Sequence, residues 1–102
     1  MPRSGKVGLS RPHRIFETRQ FLQDLGRLGA VAEKRLALKL REHIYPILAE
    51  DPYLGPGIKR LKNWEPPTWR CRVGEWRFFY EIDDRQRIVF MIAAHHRKQA
   101  YR

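Results

Sequence analysis

The sequence predicts an α+β domain in which a short N-terminal strand and two helices precede a small antiparallel sheet. Apolar residues recur at helical spacing between Phe21 and Leu48, and three aromatic or β-branched runs follow Pro67. The second of these two patterns also carries most of the excess positive charge. Residues 57 to 102 hold eleven bases against five acids, whereas residues 15 to 56 hold six of each. The first half therefore reads as scaffold and the second as a basic working surface.

The bounds on the chain agree with a single domain. Its 102 residues suffice for one hydrophobic core and are too few for two. A net charge of +10, from 21 bases and 11 acids, favours an anionic partner. Residues 1 to 12 are rich in Gly, Ser, Pro and Arg and are expected to form a flexible basic tail, leaving 13 to 102 as the domain. The apolar run from Ile88 to Ala94 is far shorter than the roughly 20 residues of a bilayer span. One cysteine, Cys71, forms no internal disulfide, and no signal-like apolar stretch opens the sequence, so the cytoplasm is the expected compartment.

Arg14, Ile15 and Phe16 suit a first strand. Phe21, Leu22, Leu25 and Leu28 place a helix over about 18 to 28, with Gly26 and Gly29 weakening its end. Leu36, Leu40, Ile44, Ile47 and Leu48 lay an apolar stripe along a second helix, which Pro46 is expected to kink or to end near Tyr45. Residues 50 to 67 contain four prolines and two glycines and read as a long loop carrying Lys59, Arg60 and Lys62. Thr68 to Val73, Trp76 to Ile82 and Arg87 to Ala94 then follow as strands.

Gly74-Glu75 is a two-residue connection with glycine first, which suits a type II′ hairpin turn. That turn fixes a register: Val73 opposite Trp76, Arg72 opposite Arg77, Cys71 opposite Phe78, and Arg70 opposite Phe79. Alternation then gives Trp69, Cys71, Val73, Trp76, Phe78, Tyr80 and Ile82 to the core face, and Arg70, Arg72, Arg77 and Phe79 to the other. Like charges directly across a strand pair repel, and guanidinium groups do not relieve this by deprotonating. Either the arginines splay into water or pair with Glu65, Glu75 or Glu81, or they await an anion such as phosphate, which their planar forks match. His95, His96, Arg97 and Tyr101 follow the last strand and are expected beside this face, with groups able to move protons near neutral pH.

The run WRCRVGEWRFFYEIDD, followed by IVFMIAAHHRKQAY, resembles the RelE branch of the RelE/ParE superfamily of bacterial toxins. The likeness extends over most of residues 13 to 102. It implies a compact RelE-like fold with both helices on one face of the sheet and a basic concave surface on the other. It also implies a ribosome-dependent, metal-independent endoribonuclease that cuts mRNA and is neutralised by a cognate antitoxin. Carried over by position, Arg70 and Arg72 would contact the scissile phosphate and Arg77 would stabilise the transition state. Arg97, His96 and Tyr101 would complete the catalytic group. Lys59, Arg60 and Lys62, read from their basic loop beside the basic hairpin rather than from the resemblance, are expected to bind RNA.

Other readings stay open. A ParE-like inhibitor of DNA gyrase would use the same scaffold for protein binding, and a non-catalytic RNA- or ribosome-binding module would use the arginines only to neutralise phosphate. Cys71 reads as a small buried residue rather than a nucleophile. Trp64 and Trp69 read as anchoring aromatics, though stacking on bases is the other use of such rings. His13 and His43 stand apart from any Cys, His or carboxylate spacing that suggests a metal, so neither metal nor cofactor is expected.

Overall fold

The computed structural model of the chain describes residues 12–97. β1 (Arg14–Glu17) leads into α1 (Arg19–Gly26) through Thr18. The Thr18 hydroxyl caps the helix by accepting the Phe21 N–H at 3.3 Å, and it donates to the Met91 carbonyl at 2.8 Å. One side chain thus starts the helix and ties it to the sheet.

The second helix does not stop at Tyr45. α2 (Ala30–Lys39) passes through a π-helical turn (Leu40–Ile44) into α3 (Tyr45–Glu50). Pro46 has no N–H to give and its ring crowds the carbonyl four residues back. The Tyr45 N–H accordingly reaches five residues back, to the Leu40 carbonyl, and the widened turn lets the helix continue. It also resets the apolar stripe. Leu36, Leu40, Ile44 and Leu48 are buried at strict four-residue steps, which overshoot the 3.6-residue α turn unless one turn is wider. Ile47, expected on that stripe, is 52% exposed.

The long segment read as a loop contributes β2 (Ile58–Arg60), and β3 (Trp69–Val73), β4 (Trp76–Asp83) and β5 (Ile88–His96) complete one sheet of order β1-β5-β4-β3-β2. The four later strands are antiparallel; β1 joins β5 in parallel, so the sheet is mixed rather than wholly antiparallel. The cause is topological: the helices and the meander carry the chain back so that β5 runs in the direction in which β1 entered.

The helices cover one face. Phe21 and Leu25 from α1, the four-residue stripe, and Cys71, Phe78, Tyr80, Val89, Met91 and Ala94 from the sheet form the core. Burial of this kind contributes roughly 1.5–3 kcal/mol per large apolar side chain. A bulge keeps β5 in phase with it. Phe79 pairs with Ala93 but Tyr80 pairs with Met91, so Ile92 is an extra residue, and Met91 and Ala94, three apart, both face the helices. Two polar contacts anchor the layers, from the Tyr80 hydroxyl to the Pro52 carbonyl at 2.7 Å and from the Tyr45 hydroxyl to a Glu17 carboxylate oxygen at 2.6 Å.

Candidate functional site

The hairpin has the register that its turn dictates. Arg72 faces Arg77, Cys71 faces Phe78 and Arg70 faces Phe79, with Gly74 at φ 59 as the turn requires. Pairing on either side extends these positions into two rows across the face away from the helices. One row runs Lys59, Arg70, Phe79, Ala93; the other runs Arg72, Arg77, His95. Rows on one face are two residues apart along each strand, roughly 7 Å.

At the turn end of the rows the side chains enclose a hollow of about 210 Å³ lined by Arg72, Gly74, Arg77 and Arg97. Arg97 is brought there by the last pairing of the hairpin, its N–H donating to the Glu75 carbonyl at 2.6 Å. Glycine at position 74 leaves the wall of the hollow open. Neither Arg70 nor Arg72 forms an ion pair with a carboxylate among the described residues, and Glu75, the nearest acid in sequence, faces His96 instead. Arg70 stands in the neighbouring row, half-buried, and its Nε is buried without a hydrogen-bond partner. Such a donor represents unused bonding capacity.

The two histidines separate. His95 is the register partner of Arg77, and its ring meets Phe79 edge-on at 5.2 Å, so it belongs to the arginine face. His96 pairs with Trp76 and turns to the other side, where its Nε2 lies 3.0 Å from a Glu75 carboxylate oxygen and its ring stands edge-on to Trp76 at 5.1 Å. Of the two, sequence reasoning favoured His96, whereas the strand places His95 beside the arginines. Tyr101 lies outside the described residues.

The three loop cations also diverge. Lys59 shares the face of Arg70, Arg60 pairs with Trp69 and points to the opposite side of the edge strand, and Lys62 follows in the loop. Arg60 and Lys62 line a second hollow of about 550 Å³ with Leu61, Asn63, Trp64 and Glu65.

Gly57 is a residue that sequence reasoning missed. Its carbonyl accepts the Arg72 N–H at 3.0 Å, its φ is +80, and a Cβ there would stand 2.6 Å from the Arg72 carbonyl oxygen. The Gly55-Pro56-Gly57 sequence is the signal that was available. Asp24 was missed as well: it is buried, and its Oδ2 accepts the Ala94 N–H at 2.9 Å, next to His95.

Three tyrosines and the cysteine among the described residues are held in their neutral forms. Burial pushes the Tyr45 and Tyr80 hydroxyls up, and burial with the Asp84 carboxylate raises Tyr53 to about 12. Burial also raises the Cys71 thiol, against the opposing charge of Arg70, as suits an inert core cysteine. No group of three or more His, Cys, Asp or Glu among the described residues is arranged to hold a metal ion. No helix among them is long and apolar enough to cross a membrane.

Helices packed behind one face of a five-stranded mixed sheet form an architecture that this chain shares with several solved toxins. The toxin–antitoxin complex RelBE2 from Mycobacterium tuberculosis has a chain that is 26% identical, with 85% of this chain and 93% of that one covered and a TM-score of 0.68. The RelE–RelB complex from Pyrococcus horikoshii (19% identity, 84% and 96% covered, TM-score 0.62) shows the same fold. A mutant of the E. coli toxin RelE in the free state (18%, 88% of each chain, 0.60) shows it too. No curated protein matches in sequence. The model for the ParE toxin of the type II toxin–antitoxin system parDE matches residues 15–101. The chain therefore belongs to that family, within the RelE/ParE superfamily, and is a type II toxin.

Proposed function

We propose that this toxin is a ribosome-dependent mRNA endoribonuclease that arrests translation in the cytoplasm until a cognate antitoxin covers its basic face. The observation that carries the proposal is the hollow formed by Arg72, Arg77 and Arg97. Three permanent cations around one small space suit a phosphate group whose negative charge grows during reaction. The several neighbours solved with RelB support an antitoxin partner for this chain.

In the proposed reaction the scissile phosphate sits in the hollow. The 2′-hydroxyl of the preceding ribose attacks phosphorus, forming a 2′,3′-cyclic phosphate and breaking the bond to the 5′-oxygen. The attacking oxygen loses a proton, for which Tyr101 and His95, the histidine on the arginine face, are the proposed acceptors in place of His96, and the leaving oxygen gains one. Arg72, Arg77 and Arg97 stabilise the phosphorane charge, and Arg70 holds the adjoining stretch of backbone with Lys59 and the loop cation Lys62 beyond it. Arginine is a poor proton carrier, so these groups act by charge and position. No metal takes part.

The ParE description of the matching family supports a second reading, inhibition of DNA gyrase by protein binding without hydrolysis. Mapping RNA 5′ ends after brief induction separates the two. New ends inside translated codons that vanish in Arg77→Ala support the nuclease. A DNA-damage response with intact mRNA supports the gyrase reading, and salt-sensitive RNA binding with neither outcome leaves a non-catalytic RNA-binding module.

A further inference from the structure

The loop after β2 carries an indole onto the arginine side of the sheet. Trp64 lies over Phe79 with 10° between the ring planes and 6.2 Å between centroids. His95 meets the same phenyl ring edge-on at 5.2 Å, so three rings cluster on the open face. Phe79 is the register partner of Arg70 and of Ala93, which places the ring cluster one row from Arg72 and Arg77. Trp64 is nevertheless 50% exposed. An indole has two faces, and only one of them is needed to cover Phe79.

Two chemistries are thus adjacent. Guanidinium groups match phosphate, and a half-open aromatic face matches the flat face of a base. A peptide partner rich in carboxylates would be drawn to the arginines, but it has no use for a π-face, whose quadrupole is negative. The neighbouring positive charge at Arg70, Lys59 and Lys62 favours a polyanion that also carries planar rings. Single-stranded nucleic acid has both. Stacking of this type tolerates any base and strengthens binding by about tenfold or more per base.

We infer that the outward face of Trp64, backed by Phe79, seats a nucleobase of single-stranded RNA whose phosphates cross Arg70, Arg72 and Arg77. The inference rests on the nuclease reading for the identity of the strand. In this arrangement the phosphate is held by charge and the base by stacking, and the position of the base sets which phosphate enters the hollow. Trp64 is accordingly a positioning residue, and its effect falls on base-dependent affinity.

The test uses the full-length chain and two labelled 2′-O-methyl oligonucleotides of equal length at low salt. One carries adenine throughout and the other is abasic throughout; neither has the hydroxyl needed for cleavage. Wild type is expected to bind the adenine strand at least about tenfold more tightly than the abasic one. Trp64→Ala and Trp64→Leu should bring that ratio close to one with abasic affinity held within about twofold, and Trp64→Phe should retain much of it. Arg77→Ala should weaken both strands alike.

A wild-type ratio near one, or a ratio unchanged in Trp64→Leu, overturns the inference. So does a Trp64→Leu protein that loses its antitoxin while keeping the ratio, because the ring then serves a protein interface. If Trp64→Ala fails to fold by circular dichroism, the contrast between Leu and Phe decides. Cleavage with no base-dependent ratio removes the base seat and leaves the nuclease; a full ratio without cleavage removes the nuclease and leaves the base seat.

Discussion

Gly57 and Arg72 are held together so closely that no side chain fits between them: the Arg72 N–H donates to the Gly57 carbonyl at 3.0 Å, and a Cβ on residue 57 would lie 2.6 Å from the Arg72 carbonyl oxygen. The φ of +80 at Gly57 adds its own restriction. Gly57→Ala is therefore expected to cost at least about 1–3 kcal/mol and to displace the strand that presents Arg72. Gly26, at the end of α1, has nothing within 4 Å of a Cβ and no positive φ. Gly26→Ala should be neutral or stabilising by up to about 1 kcal/mol. Urea unfolding of the two variants checks the contrast, and equal midpoints would contradict the close approach.

Arg72 faces Arg77 across the hairpin, which makes a stability cost part of the site. Directly opposed like charges disfavour the pairing by roughly 0.2–1 kcal/mol, and an opposite charge reverses the sign. Arg72→Glu is expected to raise the unfolding midpoint, most clearly at low salt, and to lower RNA cleavage by about 100-fold or more, as loss of a charge-stabilising donor does. A variant that is less stable than wild type at low salt would show that repulsion between the two arginines is not a significant term.

How far the sequence disclosed this site depends on the range of each interaction. The register of Arg70, Arg72 and Arg77 was legible because a two-residue turn determines it locally. The strand formed by Ile58–Arg60 was not, since it exists only where Gly57 lets a proline-rich loop reach β3. The choice between His95 and His96 turns on where β5 meets β4, and that strand contains a bulge at Ile92 that no local pattern announces. β1 was read as a strand, but its parallel pairing joins Arg14 to Ile88, a contact that only the folded chain reveals. The role of Asp24 depends on β5, which presents the N–H that its carboxylate accepts, and no helical spacing marks it.

That N–H belongs to Ala94, and Asp24 is its acceptor at 2.9 Å in a buried setting, with Gln20 donating to the other carboxylate oxygen at 2.8 Å. β1 pairs with β5 only as far as Met91, so the strand edge beyond needs another partner. Asp24→Ala leaves a buried donor unsatisfied and should cost about 1–3 kcal/mol. Amide hydrogen exchange is the specific check. Ala94 should exchange faster in the variant by more than the global loss of stability accounts for, and the loosened strand end should weaken the hold on His95 and Arg97.

The last prediction concerns the end of the sheet away from the arginines, where Asp84 joins the Tyr53 hydroxyl and the buried His13. The hydrogen bond from Tyr53, followed by that from His13, holds the Asp84 carboxyl below its usual range. A depressed carboxyl pKa contributes stability that is complete above the unfolded value of about 3.9 and is lost as pH falls through the folded value. Tyr53 is displaced the other way, from 10.0 to about 12, by burial and then by Asp84. A raised phenol pKa contributes stability that is complete below 10.0 and is lost as pH rises through about 12. The destabilisation caused by Asp84→Ala should accordingly be largest on a plateau between about pH 4 and pH 10 and shrink on both sides. Titrating groups that do not touch Asp84 are common to both proteins and cancel in the difference. Urea midpoints of wild type and Asp84→Ala at pH 2.5, 7 and 11.5 measure it, and a difference that stays constant across all three would remove the charge of Asp84 from the account of this contact.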